Sequence, residues 1–474
     1  MSSATEDATQ VRNLILELFT HAGQGDFKPE NAHEFDDEDV ELQRGKHALY
    51  AVGMLTRLPG GMVGQDGGQP WFLYWLTNAI EVANFKQIQL TAQQKKAACS
   101  YLRQCHNDET GGFAGAPGLM THVASTYAAV MAIVNIGTEE AYEIIDVPKL
   151  RSYLLSVKNN LDMTHEQASP FNAWVLKDRA TGEIYEHAGP SQVLGTLPGS
   201  MPLHENGEMD MRGFYCALVP ADICNLIEGN EELTRGMGDF IASCQTYEGG
   251  IACAPFGEAH GGYTFCGLAA LLLLGEADKL DLDRCAEWLA QRQVTEEGGF
   301  NGRINKLVDS CYNFWQGSTF ELLDIATRGH ANVNGDWLCR PEAVQAYTIL
   351  CCQNVQGGLK DKPTKGPDPY HTMYSLAGMS IMQHKADYER LYADTEEARQ
   401  FRASFTGNYG ESLGEEATEA ERDDAEAQMT NLLGGVLGNK LRRMHPIYNA
   451  RFDYVEKARA YYRAKSAAAT SAQQ

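Results

Sequence analysis

The 474-residue sequence has no surplus of positive charge: 39 Lys and Arg stand against 63 Asp and Glu, for a formal net charge of −24. A protein that neutralises many backbone phosphates needs the opposite balance, so a general nucleic-acid binder is excluded and any cationic site must be small and local. Long apolar runs are missing too. The longest, LAALLLLG at 268–275, falls far short of the roughly 20 residues that cross a bilayer, so no membrane-spanning segment is expected. No secretory leader is expected, and the 12 cysteines lack disulfide-like spacing; Cys216, Cys224, Cys266, Cys351 and Cys352 sit in apolar helical runs. These absences predict a soluble, cytoplasmic chain with reduced thiols, whose 43% hydrophobic content can bury a large core.

What is present is a repeat. Gly-Gly pairs begin at 111, 249, 298 and 357, in CHNDETGGF, CQTYEGGIA, QRQVTEEGGF and CCQNVQGGL. Before each runs an amphipathic helical pattern (KKAACSYLRQ, MGDFIASCQ, DRCAEWLAQRQ, EAVQAYTILCCQ). After each comes a loop and then an apolar helix, starting at TYAAVMAIV, YTFCGLAALLLL, CYNFWQGSTFELL and YHTMYSLAGMSIM. VPKLRSYLLSVK followed by NGEMDMRGFYCALVPADICNLI reads as a degraded copy, and ELQRGKHALYAVGML with PWFLYWLTNAIEV as another near the N-terminus. A helical hairpin of about 50 residues cannot bury its apolar face alone, so the units must stack into a ring or solenoid.

The second helix of each unit is apolar nearly all round and is expected inside; the first is amphipathic and is expected to face solvent. If the ring closes, all inner helices begin at one mouth. The expected organisation is an N-terminal extension over 1–40, one repeat domain over 41–455 and a tail over 456–474, disordered at its end. Insertions interrupt the domain at about 159–206, where PFNAWVLKDRATGEIYEH suggests a hairpin, and at about 395–430, which ends in the acidic run ESLGEEATEAERDDAEAQ, read as a solvated face or linker.

The inner-helix starts carry three groups of residues. Asp309, Cys311 and His371 offer oxygen, sulfur and nitrogen donors, a set that leaves zinc one open position, as catalytic rather than structural zinc sites do. Asp309 as a helix cap and Cys311 as a small buried hydrophobe explain the same pair without a metal. His260, Arg303 and Lys306 lie at successive loop ends with helix N-termini behind them and would suit a diphosphate, although each could equally pair with a surface carboxylate. Trp71, Trp75, Tyr127, Tyr215, Tyr263, Trp315 and Tyr370 form an aromatic set, either ordinary core or the lining for a long apolar ligand with an anionic head.

The strings GGFAGAPG…H…TYAAV…IGTEEAYEII, EAHGGYTFCGLAAL, EGGFNGRINKLVDSCYNFWQ, GGLKDKP…DPYHTMYSLAGMS and HPIYN resemble the beta subunits of protein prenyltransferases over roughly Leu42 to Val455. The resemblance implies an all-α fold, an α/α toroid of six helical-hairpin repeats closed into a barrel. It also implies an obligate heterodimer with a prenyltransferase alpha subunit, one Zn2+ per beta subunit, Mg2+ with the diphosphate, and transfer of an isoprenoid to the cysteine of CaaX-terminated proteins such as small GTPases. By matched position, Asp309, Cys311 and His371 resemble the metal ligands. His260, Arg303, Lys306 and Tyr312 resemble the diphosphate-binding set, and Asp361, with Lys306 and Tyr312, belongs with the catalytic residues as the carboxylate that helps hold magnesium. Trp71, Tyr127, Arg212, Tyr215, Tyr263, Cys266 and Trp315 resemble the isoprenoid lining, and Trp71, Trp75 and Tyr370 the peptide-facing wall. Trp71 and Asp361 imply farnesyl diphosphate as donor, since geranylgeranyl relatives carry a smaller residue and a lysine there. Two other readings stay open: a geranylgeranyltransferase type I beta subunit, and a non-enzymatic, zinc-stabilised helical scaffold that binds peptides. Terpenoid cyclases share Gly- and Gln-marked helical repeats, but no DDxxD or DxDD string occurs here.

Overall fold

A computed structural model describes residues 3–22, 40–158, 163–167, 174–178, 184–186, 199–205, 207–327, 338–384, 388–406, 418, 422 and 430–473. Six helices form its centre: Gln69–Ala83, Val123–Ile136, Met211–Ile223, Gly261–Leu274, Tyr312–Ala326 and Pro369–Gln383. Each packs on the next in chain order, and Pro369–Gln383 packs back on Gln69–Ala83, so the ring is closed. The composition of these helices demands this position. In Val123–Ile136 every residue but Ala124 is buried, which leaves no face for solvent.

Each central helix is preceded by an outer one: Arg44–Thr56, Ala92–Cys105, Val147–Val157, Met237–Ser243, Leu282–Ala290 and Pro341–Tyr347. Where these helices are amphipathic, only one stripe is covered. Leu282–Ala290 buries Cys285, Trp288 and Leu289, and Ala92–Cys105 buries Cys99, Leu102 and Cys105. The fold is the six-hairpin toroid expected, including the N-terminal copy and the degraded copy that lacks a Gly-Gly pair.

The repeated Gly-Gly pair and the glutamine before it join one unit to the next. At Gly249 the backbone has φ +106°, and a Cβ there would lie 2.1 Å from the carbonyl oxygen of Arg284 in the next outer helix. Only glycine tolerates both conditions. Gln245 donates to the carbonyls of Gly249 and Asp281, each at 2.9 Å, and accepts from the Asp281 N–H at 2.9 Å. Gln293 makes the equivalent bonds to Gly298 and Arg340. Gln353 closes the circle, donating to the carbonyl of Glu41 at 3.0 Å and accepting from the N–H of Gln43 at 2.8 Å, at the entrance of the first hairpin.

One end of the ring is filled by the C-terminal chain, a feature that hydrophobic periodicity does not reveal. Leu441, Arg443, Met444, His445, Ile447, Tyr448 and Asn449 are buried there. Arg443 pairs with Glu321, and Arg442 bonds Glu81 at 2.6 Å; both carboxylates belong to the later turns of inner helices. The inner helices start at the opposite end, which is therefore the mouth.

The insertion at 159–206 carries three short antiparallel strands, Met163–Gln167, Trp174–Asp178 and Ile184–Glu186, so the expected hairpin is present with a third strand beside it. The acidic run at 411–428 lies almost wholly outside the described residues. Within the same insertion, Glu396–Ser404 is a helix capped by Thr395. The tail differs from the expected disorder: a helix runs from Phe452 to Gln473, through an alanine-rich stretch of high helix propensity.

Candidate functional site

The caps of the inner helices deliver the site. His122, Asp210, His260 and Asp368 each stand at the N-cap of an inner helix and accept a backbone N–H from its first turn. Side chains at and just after these caps therefore converge on the mouth. In the fifth hairpin the N-cap is Cys311, and Asp309, two residues before it, accepts the Cys311 N–H at 2.9 Å.

Asp309, Cys311 and His371 each offer one donor atom, and these atoms lie within 4.8 Å of one another, a group that could hold a metal ion. Cys311 is buried, as the simpler reading of that pair held, but Cys311 rather than Asp309 stands at the helix N-cap, and both meet His371. His371 is oriented by two carboxylates, with Nε2 3.3 Å from Asp309 and Nδ1 2.6 Å from Asp368. A carboxylate behind the ligating imidazole is the usual outer shell of a metal site. Asp368 is the aspartate of the DPYHTMYSLAGMS string, and nothing in its sequence position marks that role.

The charges follow from the geometry. Burial disfavours a cationic His371, yet hydrogen bonds and charge from Asp309 and Asp368 push its pKa up to about 9. Burial would raise Asp309, but His371 and the Cys311 N–H hold it below the usual carboxylate range. Cys311 is driven far up, by burial first and then by the neighbouring Asp309 charge. Without a metal, the group therefore holds protons that a cation would have to displace.

Beside it, the Tyr312 hydroxyl lies 3.0 Å from His260 Nε2. Burial, then the Arg303 charge, lowers the His260 pKa, so Arg303 is close as well. Arg303 itself binds Glu258 at 2.5 Å. Lys306 stands exposed on the same loop, and no hydrogen bond or ion pair among the described residues ties it to the other three. Asp361 is joined to the segment between Asp309 and Cys311 by its backbone, its carbonyl accepting the Ser310 N–H at 2.9 Å. Its carboxylate is paired with Lys362.

Two cavities meet at an aromatic partition. One, of about 470 Å³, is lined by Trp71, Trp75, Tyr127, Arg212, Tyr215, Cys266, Trp315 and Tyr370, with His122, Glu208, Cys216 and Tyr374 among lining residues given no site role from the sequence. The other, of about 540 Å³, shares Trp71, Trp75 and Tyr370 and adds His371, Asp368 and the glycine-rich segment at Gly64, Gly67 and Gly68. Trp71 and Trp75 lie 5.5 Å apart, Trp75 and Tyr370 also 5.5 Å, and Trp315 Nε1 donates to the Tyr370 hydroxyl at 2.9 Å. Of the aromatic set, Tyr263 alone is absent from both linings; it packs on His260 at 5.2 Å. Arg212 is held by the cap residue Asp210, to which it donates at 2.9 and 2.5 Å.

Comparison with known proteins gives one consistent direction. The prenyltransferase alpha-alpha toroid domain family matches residues 42–450. The chain is 32% identical to the protein farnesyltransferase subunit beta of Arabidopsis thaliana, over 74% of this chain and 76% of that one. It is 32% identical to the same-named subunit of Schizosaccharomyces pombe, over 74% and 81%. A solved structure, Candida albicans protein geranylgeranyltransferase-I complexed with GGPP, superimposes with a TM-score of 0.55 over 76% of this chain and 98% of that one. At 20% identity, that likeness concerns the fold alone. No described helix is long and apolar enough to cross a membrane.

Proposed function

The chain belongs to the prenyltransferase alpha-alpha toroid family, among the beta subunits of protein farnesyltransferases, and from that premise we propose that it transfers farnesyl from farnesyl diphosphate to the cysteine thiol of a CaaX-terminated protein, in a heterodimer with an alpha subunit. The observation that carries this reading is the shared partition. A three-donor metal group borders an aromatic wall common to two cavities, with an imidazole, a phenol and a guanidinium beside it.

In this reading the 470 Å³ cavity takes the isoprenoid and the 540 Å³ cavity takes the peptide. Both volumes lie within the range of roughly 300–1,000 Å³ typical of ligand pockets. Asp309, Cys311 and His371 fit zinc by donor type, by their burial and by the Asp368 support of His371. When bound there, zinc would lower the pKa of a substrate thiol at its open position, making a thiolate available near neutral pH.

The reaction forms one bond and breaks one. The substrate sulfur bonds to C1 of farnesyl diphosphate, the C1–O bond breaks with its electron pair going to the diphosphate, and the thiol proton is released. His260, Arg303, Lys306 and the Tyr312 hydroxyl face the negative charge that develops on the leaving group, where preformed donors and cations lower the barrier most. Arg303 must leave Glu258 to do so. Asp361 would share a magnesium ion with the diphosphate once its carboxylate is released from Lys362. Trp71, packed 5.5 Å from Tyr127, narrows the isoprenoid cavity and favours the shorter donor.

The test is transfer itself. The chain co-expressed with a prenyltransferase alpha subunit, given labelled farnesyl diphosphate and a peptide ending in CaaX, is expected to place the label on the peptide cysteine. A complex that binds the peptide but transfers nothing would favour the peptide-binding scaffold.

A further inference from the structure

The C-terminal segment that fills the far end of the ring also reaches the back of the apolar cavity. Tyr127 and Tyr215 line that cavity, and their hydroxyls are 3.2 Å apart. The Tyr215 hydroxyl donates to the carbonyl of Ile447 at 2.7 Å. The Tyr127 hydroxyl donates to that of Tyr74 at 3.3 Å, and Tyr74 donates in turn to the carbonyl of Asn449 at 3.1 Å. Three inner helices are thus tied at their tyrosine tips to two carbonyls of one buried turn.

Asn449 holds that turn in place. It is 1% exposed and sits at φ +48°, in the left-handed region that asparagine tolerates better than most residues. Its side-chain oxygen accepts from Asn78 at 3.0 Å, and its side-chain nitrogen lies 3.1 Å from the Met373 sulfur. One residue therefore fastens the turn to the first and sixth inner helices, while the turn's carbonyls satisfy the hydroxyls of Tyr74 and Tyr215. These hydroxyls lie in a dry interior, where an unpaired polar group is costly, so the rings keep these orientations only while the turn keeps its place.

We propose that the Ile447–Asn449 turn is the floor that sets the depth of the donor cavity, and that Asn449, acting through Tyr74, is a positioning residue for donor chain length in addition to Trp71. The proposal rests on reading this cavity as the isoprenoid site. A fixed floor ends the cavity at Tyr127 and Tyr215; a loosened one admits a further isoprene unit.

Two variants test it in the co-expressed heterodimer. Tyr74→Phe removes one hydroxyl and keeps the ring, and Asn449→Gly keeps the left-handed backbone and removes the anchoring side chain. For each, kcat/KM is measured with farnesyl and with geranylgeranyl diphosphate, alongside zinc content and Tm. The preference for the shorter donor is expected to fall by roughly three- to tenfold, the scale of one lost buried hydrogen bond, through KM for the longer donor and with zinc content as in the parent. An unchanged donor ratio in Tyr74→Phe overturns the proposal, and this variant decides if Asn449→Gly does not fold. A parent complex that transfers neither donor overturns the underlying reading of the cavity instead.

Discussion

Asp309, Cys311 and His371 compete with protons for any cation they hold. His371 keeps its proton up to about 9 in the metal-free chain, and the Cys311 thiol keeps its own still higher. Binding must release both, so zinc affinity is expected to rise with pH by about tenfold per unit for each proton displaced. Chelator competition at pH 6, 7 and 8 measures this slope; a flat profile would remove Cys311 and His371 from the ligand set. Trp71 gives a second expectation at this scale. Trp71→Thr deletes the ring that packs on Tyr127 and Trp75, enlarging the cavity on its open side. Donor competition should move by about tenfold or more toward geranylgeranyl diphosphate, the scale of filling or emptying a hydrophobic pocket. An unaltered preference would place the length filter elsewhere.

The helices show why much of the fold was readable and part was not. The repeat was visible because four unit junctions, at Gly111, Gly249, Gly298 and Gly357, need a glycine where a Cβ would strike an outer helix, as at Gly249 against Arg284, and such steric demands leave a spacing in the sequence. The three-donor group was visible through register, since Asp309, Cys311 and His371 all fall at inner-helix starts. The C-terminal turn left no such mark: Asn449 and Ile447 act through backbone carbonyls and one side chain, with no period to betray them. The role of Asp368 was hidden for a related reason, because a helix-capping aspartate and an orienter of histidine look alike in sequence. The join between the first and last hairpins offers a test of the ring itself. Gln353→Ala removes bonds to Glu41 and Gln43 across that join and to the Ile349 carbonyl. At about 1 kcal/mol each, the loss is expected to be roughly 2–4 kcal/mol, read as a lower denaturant midpoint. A midpoint equal to the parent's would mean that packing alone holds the ring shut.

For the molecule as a whole, buried histidines set an acid limit on stability. Burial is the first cause holding His47 down to about 4 and His384 down to about 3, and it holds His445 well below its ordinary value. The unfolded chain takes up these protons near pH 6.5 and the folded chain does not, so stability falls on acidification through this window by about 1.4 kcal/mol per pH unit for each group. His371 has the opposite sign in the metal-free chain. Its contribution is complete below about pH 6.5 and is lost as the pH climbs through about 9. Denaturant titrations at pH 7 and pH 5 should therefore show a net loss on the order of several kcal/mol; equal stability at the two values would mean that these histidines find water or partners when charged.

In the proposed function one mouth serves two separable tasks, holding the donor and activating the acceptor thiol. Cys311→Ser in the co-expressed heterodimer separates them, because Cys311 belongs to the three-donor group while the apolar cavity is walled by Trp71, Tyr127, Tyr215 and Trp315. Zinc content, farnesyl diphosphate binding and peptide transfer are measured on the same preparation. Zinc is expected to be lost, transfer to fall by at least about a hundredfold, and donor affinity to stay within about threefold of the parent. Full zinc content with transfer close to the parent's would contradict this division of tasks.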